Sequence, residues 1–494
     1  MNLKRRAFLK SAGLFALYQS GCARFSKLSE RTLVNDVHSQ LNPTWVKRVV
    51  ETDSLKSLQQ VVREARRQHQ AVCIAGGRHA MGAQQFASES VLIDTRKFNR
   101  ILNFDHEAGI VEVEAGIHWP KLIADLVTRQ AGQSRAWGIA QKQTGADRLS
   151  LGGALAANVH GRGLRMKPFV ADVESLVVID ADGNSQICDR QRSSELFRLI
   201  GGGYGLFGLV YSLRLRLMPR QKVQRIVEIK MVEDLMPAFE KRIADGFLYG
   251  DFQFSIDEKT DDFLRRGVFS CYRPVAADTS IAIENKRLSS DNWMTLLILA
   301  HTDRRRVFEE YARYYLSTSG QVYWSDTHQL SGYQDGYHRI LDQRSGATKL
   351  ATEIITEIYV PRNQLADFLR EARQDFRRHN VEIIYGTIRL IEQDNESFLA
   401  WAKQSYACII FNIHTEHSPD SLRHCADALR RLIDMSIRRD GSYYLTYHKY
   451  ATREQLLDCY PQFPEFLKLK TKYDPEERFQ SDWYRHYRRM FFGR

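Results

Sequence analysis

Two glycine-rich segments constrain this chain more than anything else in it: AGGRHAMGAQ, Ala75 to Gln84, and LSLGGALAANVHGRG, Leu149 to Gly163. Each is small-residued, flanked by strand-like sequence, and carries one histidine, His79 or His160. Successive glycines let a backbone curl through conformations closed to other residues, so several N–H groups converge on an anion. Two such nests in one N-terminal region point to a long, diphosphate-bearing ligand across a cleft, a dinucleotide cofactor rather than a lone phosphate.

The elements around the nests follow from periodicity. Ser54 to Gln68 reads as a helix with Leu55, Leu58, Val61, Val62 and Ala65 on one face. Ala71 to Ala75 is a short apolar strand running into the first nest. Val91 to Thr95 and Ile110 to Glu114 are further strands, the second alternating imperfectly. Trp119 to Val127 is a helix with Pro120 tolerated in its first turn, and Trp137 to Arg148 a loop crossing to the second nest. Val173 to Ile179 and Ser185 to Cys188 flank the hairpin turn Asp182-Gly183. Ser193, Ser194 and Glu195 open a helix that ends at Gly201. Gly203, Gly205 and Gly208 spell GxGxxG, but a helix precedes them and the β-favouring Leu209 to Leu217 follows, the reverse of the nicotinamide fingerprint.

Beyond Pro219 the composition shifts. Val223 to Met231 reads as a strand and Val232 to Arg242 as a helix. From there to Arg344 come aromatic patches, charged loops and a helical pair around Trp293 to Tyr315. Strands Glu353 to Val360, Ile383 to Arg389 and Ala407 to His414 alternate with helices Asn363 to Arg378 and Ser421 to Arg438. That order predicts an antiparallel sheet with helices on one face, a substrate platform.

With 494 residues the chain has room for two or three domains, and 43% hydrophobic and 26% charged residues are ordinary for a globular protein. The net charge of +12 suits an anionic substrate, anionic headgroups or a solvated surface. No basic arm or recognised module after residue 30 indicates specific nucleic-acid binding. Seven cysteines form no CxxC and no zinc spacing, so they read as buried small hydrophobes. The first 22 residues differ in kind. A basic start and a short weakly apolar run, too short to span a bilayer, mark targeting sequence. Arg5 and Arg6 before Ala7-Phe8-Leu9-Lys10 resemble a twin-arginine export signal, and Cys22 after Ser20-Gly21 resembles a lipid-attachment site. The expectation is an exported, periplasmic protein with possible membrane attachment through Cys22; a basic amphipathic start without targeting is the alternative, with a cytoplasmic location.

The order of these features resembles the flavoprotein oxidoreductases of the vanillyl-alcohol oxidase type, which share the PCMH-type FAD-binding fold. The matching pieces are the first nest with His79, VLIDTRKFNRIL followed by GIVEVEAG, SLGGALAANVHGRG, and GGGYGLFGLVYSLRLRLMP. KYDPEERFQSDW near the C-terminus resembles the closing segment of the sugar, alditol and aldonolactone oxidase branch. The resemblance is dense over residues 36–219, returns around 447–483, and implies an α+β protein. Residues 36–219 would form a two-subdomain FAD-binding domain and 220–446 an α+β substrate domain with an antiparallel sheet. Residues 447–494 would return to the FAD-binding domain, and 1–30 would be signal and linker. It further implies FAD as cofactor and oxidation of an alcohol carbon of a small-molecule substrate. Reoxidation would use dioxygen or another electron acceptor. A flavin-dependent enol-ether reductase of the cell-wall type and a non-catalytic flavin scaffold are the alternatives.

The resemblance also assigns residues. Gly76, Gly77, Arg78, His79, Ala80, Met81 and Gly82 would hold FAD, as would Ser150, Gly152, Gly153, Asn158, His160 and Gly161. Gly208 and Val210 would join them from the GGGYGLFGLV segment. In the family the histidine at position 79 often bonds covalently to the flavin 8-methyl carbon; non-covalent contact and a turn role are the other readings. The family pattern there is Gly-His-Ser, where this chain has Arg78-His79-Ala80. His448 and Lys449 occupy the region of a His-Trp-Gly-Lys segment near substrate. Adjacent strand residues point opposite ways, so one of them would face the ring, His448 before Lys449. Arg389 and Glu357 sit on apolar strands, either as an internal ion pair or as substrate or reduced-flavin contacts. His414, Glu416 and His417 superficially suggest a metal, but no convincing set accompanies them, and none is expected.

Overall fold

A computed structural model describes residues 31–331 and 336–493. Arg5, Arg6 and Cys22, on which the export and lipid-attachment expectations rest, lie outside the described residues. The protein is α+β, and no helix among the described residues is long and apolar enough to cross a membrane.

Three larger sheets and two two-stranded ones form among the described residues. In the first, Val91–Asp94 lies between Arg48–Glu51 and Val72–Ala75, parallel to both. All four of its residues are buried, as a parallel central strand requires. Leu55–Arg67 packs Leu58, Val62 and Ala65 inward, and the Ser54 hydroxyl caps it by accepting from the Ser57 N–H. The second sheet is antiparallel, in the order Ser185–Asp189, Val173–Ile179, Leu209–Arg216, Ile110–Glu114, Ile101–Asp105. The Asp182-Gly183 hairpin forms as read, with Gly183 at φ 79°. The imperfect alternation of Ile110–Glu114 has a cause: the Glu114 carboxylate is fully buried and is met by Arg100 at 2.7 Å.

The third sheet has eight antiparallel strands, in the order Val322–Trp324, Lys222–Met231, Arg266–Pro274, Tyr249–Phe254, Ile383–Ile391, Tyr406–Glu416, Ala351–Pro361, Ser442–Tyr443. Here the reading of the middle region is corrected. Tyr249–Phe254 and Arg266–Pro274, expected among aromatic patches and charged loops, are interior strands of this sheet. They escaped notice because each is buried on both faces and shows no period-two pattern. One face carries the Leu235–Ala244 and Leu365–His379 helices through aromatic contacts, Phe239 on Phe269 at 4.8 Å and Phe376 on Phe411 at 5.3 Å. The opposite face is covered by Ser290–Thr302 and Arg304–Ser317 only in part, and it borders a cavity.

The second glycine segment is also corrected. It is a short helix rather than an open nest: Leu151–Ala157, capped by the Ser150 hydroxyl, which accepts from the Gly153 N–H, and ended by Asn158 in the left-handed conformation. Near the C-terminus, the Val72 N–H donates to the Arg478 carbonyl and the Gln480 N–H to the Val72 carbonyl, at 2.7 and 2.9 Å. The KYDPEERF segment is thereby fastened to the edge of the parallel sheet.

Candidate active site

A cavity of about 1050 Å³ lies between the glycine segments and the open face of the eight-stranded sheet. That is the upper end of the usual range for ligand sites, about 300–1,000 Å³. One wall is backbone. Gly76, Gly77, Arg78, His79, Ala80 and Met81 line it, with Ser150, Gly152, Gly153, Gly208 and Val210. The glycines are there because two segments touch. A Cβ on Gly76 would stand 2.0 Å from Ser150 Oγ, and one on Gly77 2.2 Å from the Arg148 carbonyl. Gly208, at φ 143°, lies against Val178 and the Ile179 carbonyl. Arg78 contributes backbone at φ 59°, while its guanidinium is 2.9 Å from buried Asp94. Burial alone would raise the Asp94 carboxyl, but hydrogen bonds from Arg96 and the charges of Arg96 and Arg78 hold it below its ordinary value.

The other wall is made of side chains. Residues of one parity project from successive strands: Arg225, Asp251, Gln253, Ile355, Glu357, Tyr385, Thr387, Arg389, Ile410 and Asn412 all reach the cavity. From the glycine side His160 meets Glu357. Its Nε2 is in a very short contact with Glu357 Oε1, and its Nδ1 is 3.0 Å from the Gly161 carbonyl. A carbonyl only accepts, so Nδ1 carries a proton, and the Nε2–Oε1 contact holds a further one. Both residues are almost fully buried.

The expected Arg389–Glu357 ion pair does not form. Arg389 is 7% exposed and makes no hydrogen bond or ion pair among the described residues. Five other expected residues do not line the cavity. His448 is buried between Tyr443 and Tyr450, its Nε2 3.3 Å from Thr356 Oγ1. Burial, and then the nearby Arg430 charge, push its pKa down to about 3, so it is a neutral packing group. Lys449 lies outside the cavity lining, and burial lowers its pKa as well. Asn158 uses its side chain to bind Asp394 and to accept from the Val170 N–H. Gly161 packs against the Lys142 carbonyl, and Gly82 against the Gln84 side chain. His414 approaches Glu353, not Glu416 or His417. His301 and His338 approach the same carboxylate, whose Oε2 also accepts from the Tyr337 hydroxyl at 2.5 Å.

Sequence reading passed over Arg162, Arg225 and Asp251. Arg162 sits in the GRG that closes the second segment. Arg225 and Asp251 are recognisable only once their strands are set side by side. Near Arg162 and Arg225, His328 is held well below its ordinary pKa, by burial first and then by the two guanidinium charges.

The residues present fit FAD. A glycine-lined backbone wall carries His79, and the buried His160–Glu357 pair joins that side of the cavity to the sheet wall. The family model for an FAD binding domain matches residues 46–189. The L-gulonolactone oxidase of Bos taurus is 27% identical over 39% of this chain and 40% of its own length. A D-arabinono-1,4-lactone oxidase assigned in Neurospora crassa is 26% identical over 34% of this chain and 29% of its own. In both, the chain spans well under half of the relative. The L-gulono-1,4-lactone dehydrogenase of Mycobacterium tuberculosis is 21% identical over 88% of this chain and 95% of its own length. Residues 46–189 thus match an FAD binding domain, and the chain is similar to aldonolactone oxidases and dehydrogenases.

Proposed function

We propose that this protein is an FAD-dependent oxidoreductase that oxidises an alcohol carbon of a sugar-, polyol- or aldonolactone-like molecule. The observation that carries the reading is the buried His160–Glu357 pair, which brings the second glycine segment and the sheet wall together at the cavity. FAD, when bound, would supply the acceptor for the hydride, which carries both electrons of the oxidation. Gly76, Gly77 and the segment from Ser150 to Gly153 would hold it through backbone groups. The His160–Glu357 pair takes the hydroxyl proton, and Arg389, without a carboxylate partner, favours negative charge developing beside it. The Tyr444, Tyr447 and Tyr204 side chains, which also border the cavity, exclude water there.

The reading extends to covalent attachment of FAD through His79, to dioxygen or another carrier as acceptor, and to export directed by residues 1–22. The direct test is acid precipitation of the purified protein. Yellow colour retained by the pellet and absent from a His79→Ala pellet supports the histidyl link. Flavin released to the supernatant removes the link and keeps the cofactor. Protein that binds no FAD even on reconstitution overturns the function. For export, an Arg5→Lys, Arg6→Lys double variant is expected to stay in the cytoplasm on cell fractionation.

A further inference from the structure

The cavity has a second polar end that proton abstraction leaves unused. Arg225 projects from Lys222–Met231 and is 9% exposed. Its Nε donates to Tyr272 Oη and its Nη1 to Thr318 Oγ1, both at 2.9 Å. The rings of Tyr272, Tyr315 and Tyr323 stand 5.2, 5.2 and 4.9 Å from its guanidinium carbon. All these partners are neutral, and no carboxylate lies within ion-pair distance of it among the described residues. Arg162 also stands over the Tyr272 ring, at 4.8 Å, donates to the His328 carbonyl at 2.6 Å, and has one distant acid, Asp251 at 3.6 Å. Its buried Nε has no hydrogen-bond partner. Both guanidinium groups border the cavity.

Arg225 has no carboxylate partner and Arg162 only a distant one, which leaves charge that burial penalises unless a ligand supplies the counter-charge. Guanidinium forks match the paired oxygens of a carboxylate or a phosphate. The sheet order fixes where that charge sits. The strand bearing Arg225 is separated from the one bearing Glu357 by four intervening strands. Five strand spacings of roughly 4.8 Å put the two backbones some 24 Å apart. Arg162, two residues beyond His160, bridges the interval. From this geometry we infer that the substrate is an extended hydroxylated molecule bearing an oxyanion, carboxylate or phosphate, bound by Arg162 and Arg225 at the end remote from the oxidised carbon. The inference rests on the oxidoreductase reading for which carbon reacts, but not for the anion site itself.

Calorimetric titration of the purified full-length flavoprotein with glucose 6-phosphate and glucose tests it. The phosphorylated ligand is expected to bind about tenfold tighter or more, as charge-assisted bonding to arginine implies. Arg225→Gln and Arg162→Gln should each collapse that ratio while leaving glucose binding and flavin content unchanged. Arg225→Lys, which keeps the charge and most of the stem, should retain most of it and guards against a folding defect in the glutamine variant. Competition by inorganic phosphate or by acetate identifies which oxyanion the site takes. Equal affinities in the wild type, or an unchanged ratio in both glutamine variants, overturn the inference. Loss of FAD from Arg225→Gln does so too, because that guanidinium would then serve the cofactor. A colourless protein that still discriminates between the two ligands leaves the anion site standing and defeats only the flavin reading.

Discussion

The two walls of the cavity bound the same space by opposite means. The glycine wall works by what its residues lack. Gly76 and Gly77 admit Ser150 and the Arg148 carbonyl to positions that a Cβ would occupy, and the ligand is left to meet backbone. The sheet wall works by what its residues carry: Glu357, Arg389 and Arg225 on separate strands, each aimed into the same hollow by strand parity. A backbone wall is insensitive to chemistry and intolerant of volume; a side-chain wall is the reverse. On the function proposed above, holding the cofactor and acting on the substrate fall to different kinds of sequence.

That contrast can be broken experimentally. The largest effect is expected at Glu357. Glu357→Gln preserves shape and replaces the basic carboxylate by a non-basic amide, so kcat should fall about 10²–10⁴-fold while flavin absorbance per polypeptide stays at the wild-type level. A comparable loss of flavin would mean that the sheet wall also holds the cofactor. Next comes Gly77→Ala, which adds one methyl and no chemistry. Overpacking against a backbone carbonyl costs about 1–3 kcal/mol, to be read as weaker FAD retention on dialysis. A variant that keeps FAD and loses turnover would reverse the assignment of the two walls.

Smaller effects separate the site from its surroundings. His38 and His448 both have pKa values lowered to about 3, chiefly by burial, against an ordinary 6.5. The unfolded chain therefore binds protons that the folded one refuses. The stability each neutral ring contributes is whole above pH 6.5 and is lost as pH falls toward 3, by up to about 1.4 kcal/mol per pH unit. Thermal unfolding between pH 7 and pH 5 should show that slope, and His448→Gln should flatten it without moving kcat. A kcat loss in that variant would return His448 to the chemistry. Lys449→Ala, outside the cavity lining, should leave the substrate KM alone in steady-state kinetics.

Much of the fold was legible. Leu55–Arg67 announced itself by its apolar face and its serine cap, and Val173–Ile179 with Ser185–Asp189 by the Asp-Gly turn between them. Tyr249–Phe254 and Arg266–Pro274 did not, because a strand buried on both faces has lost the alternation that marks strands. At the cavity, the glycine wall was readable because its residues fall in a few short runs of sequence. The pairing of His160 with Glu357, 197 residues apart, was not. Each had been singled out, but in a different role. His448 and Lys449 show the converse error, for resemblance put them near substrate while the packing of Tyr443 and Tyr450 turns the His448 ring into the core.

Local sequence thus determined where the backbone must be bare. Conformational freedom and the absence of a Cβ are properties of single residues, written at Gly76, Gly77 and Gly208 before any folding occurs. Only the tertiary structure decided which charges share a cavity. Strand order in the eight-stranded sheet runs across the chain rather than along it, and nothing local to Arg225, Glu357 or His160 records which neighbours that order supplies.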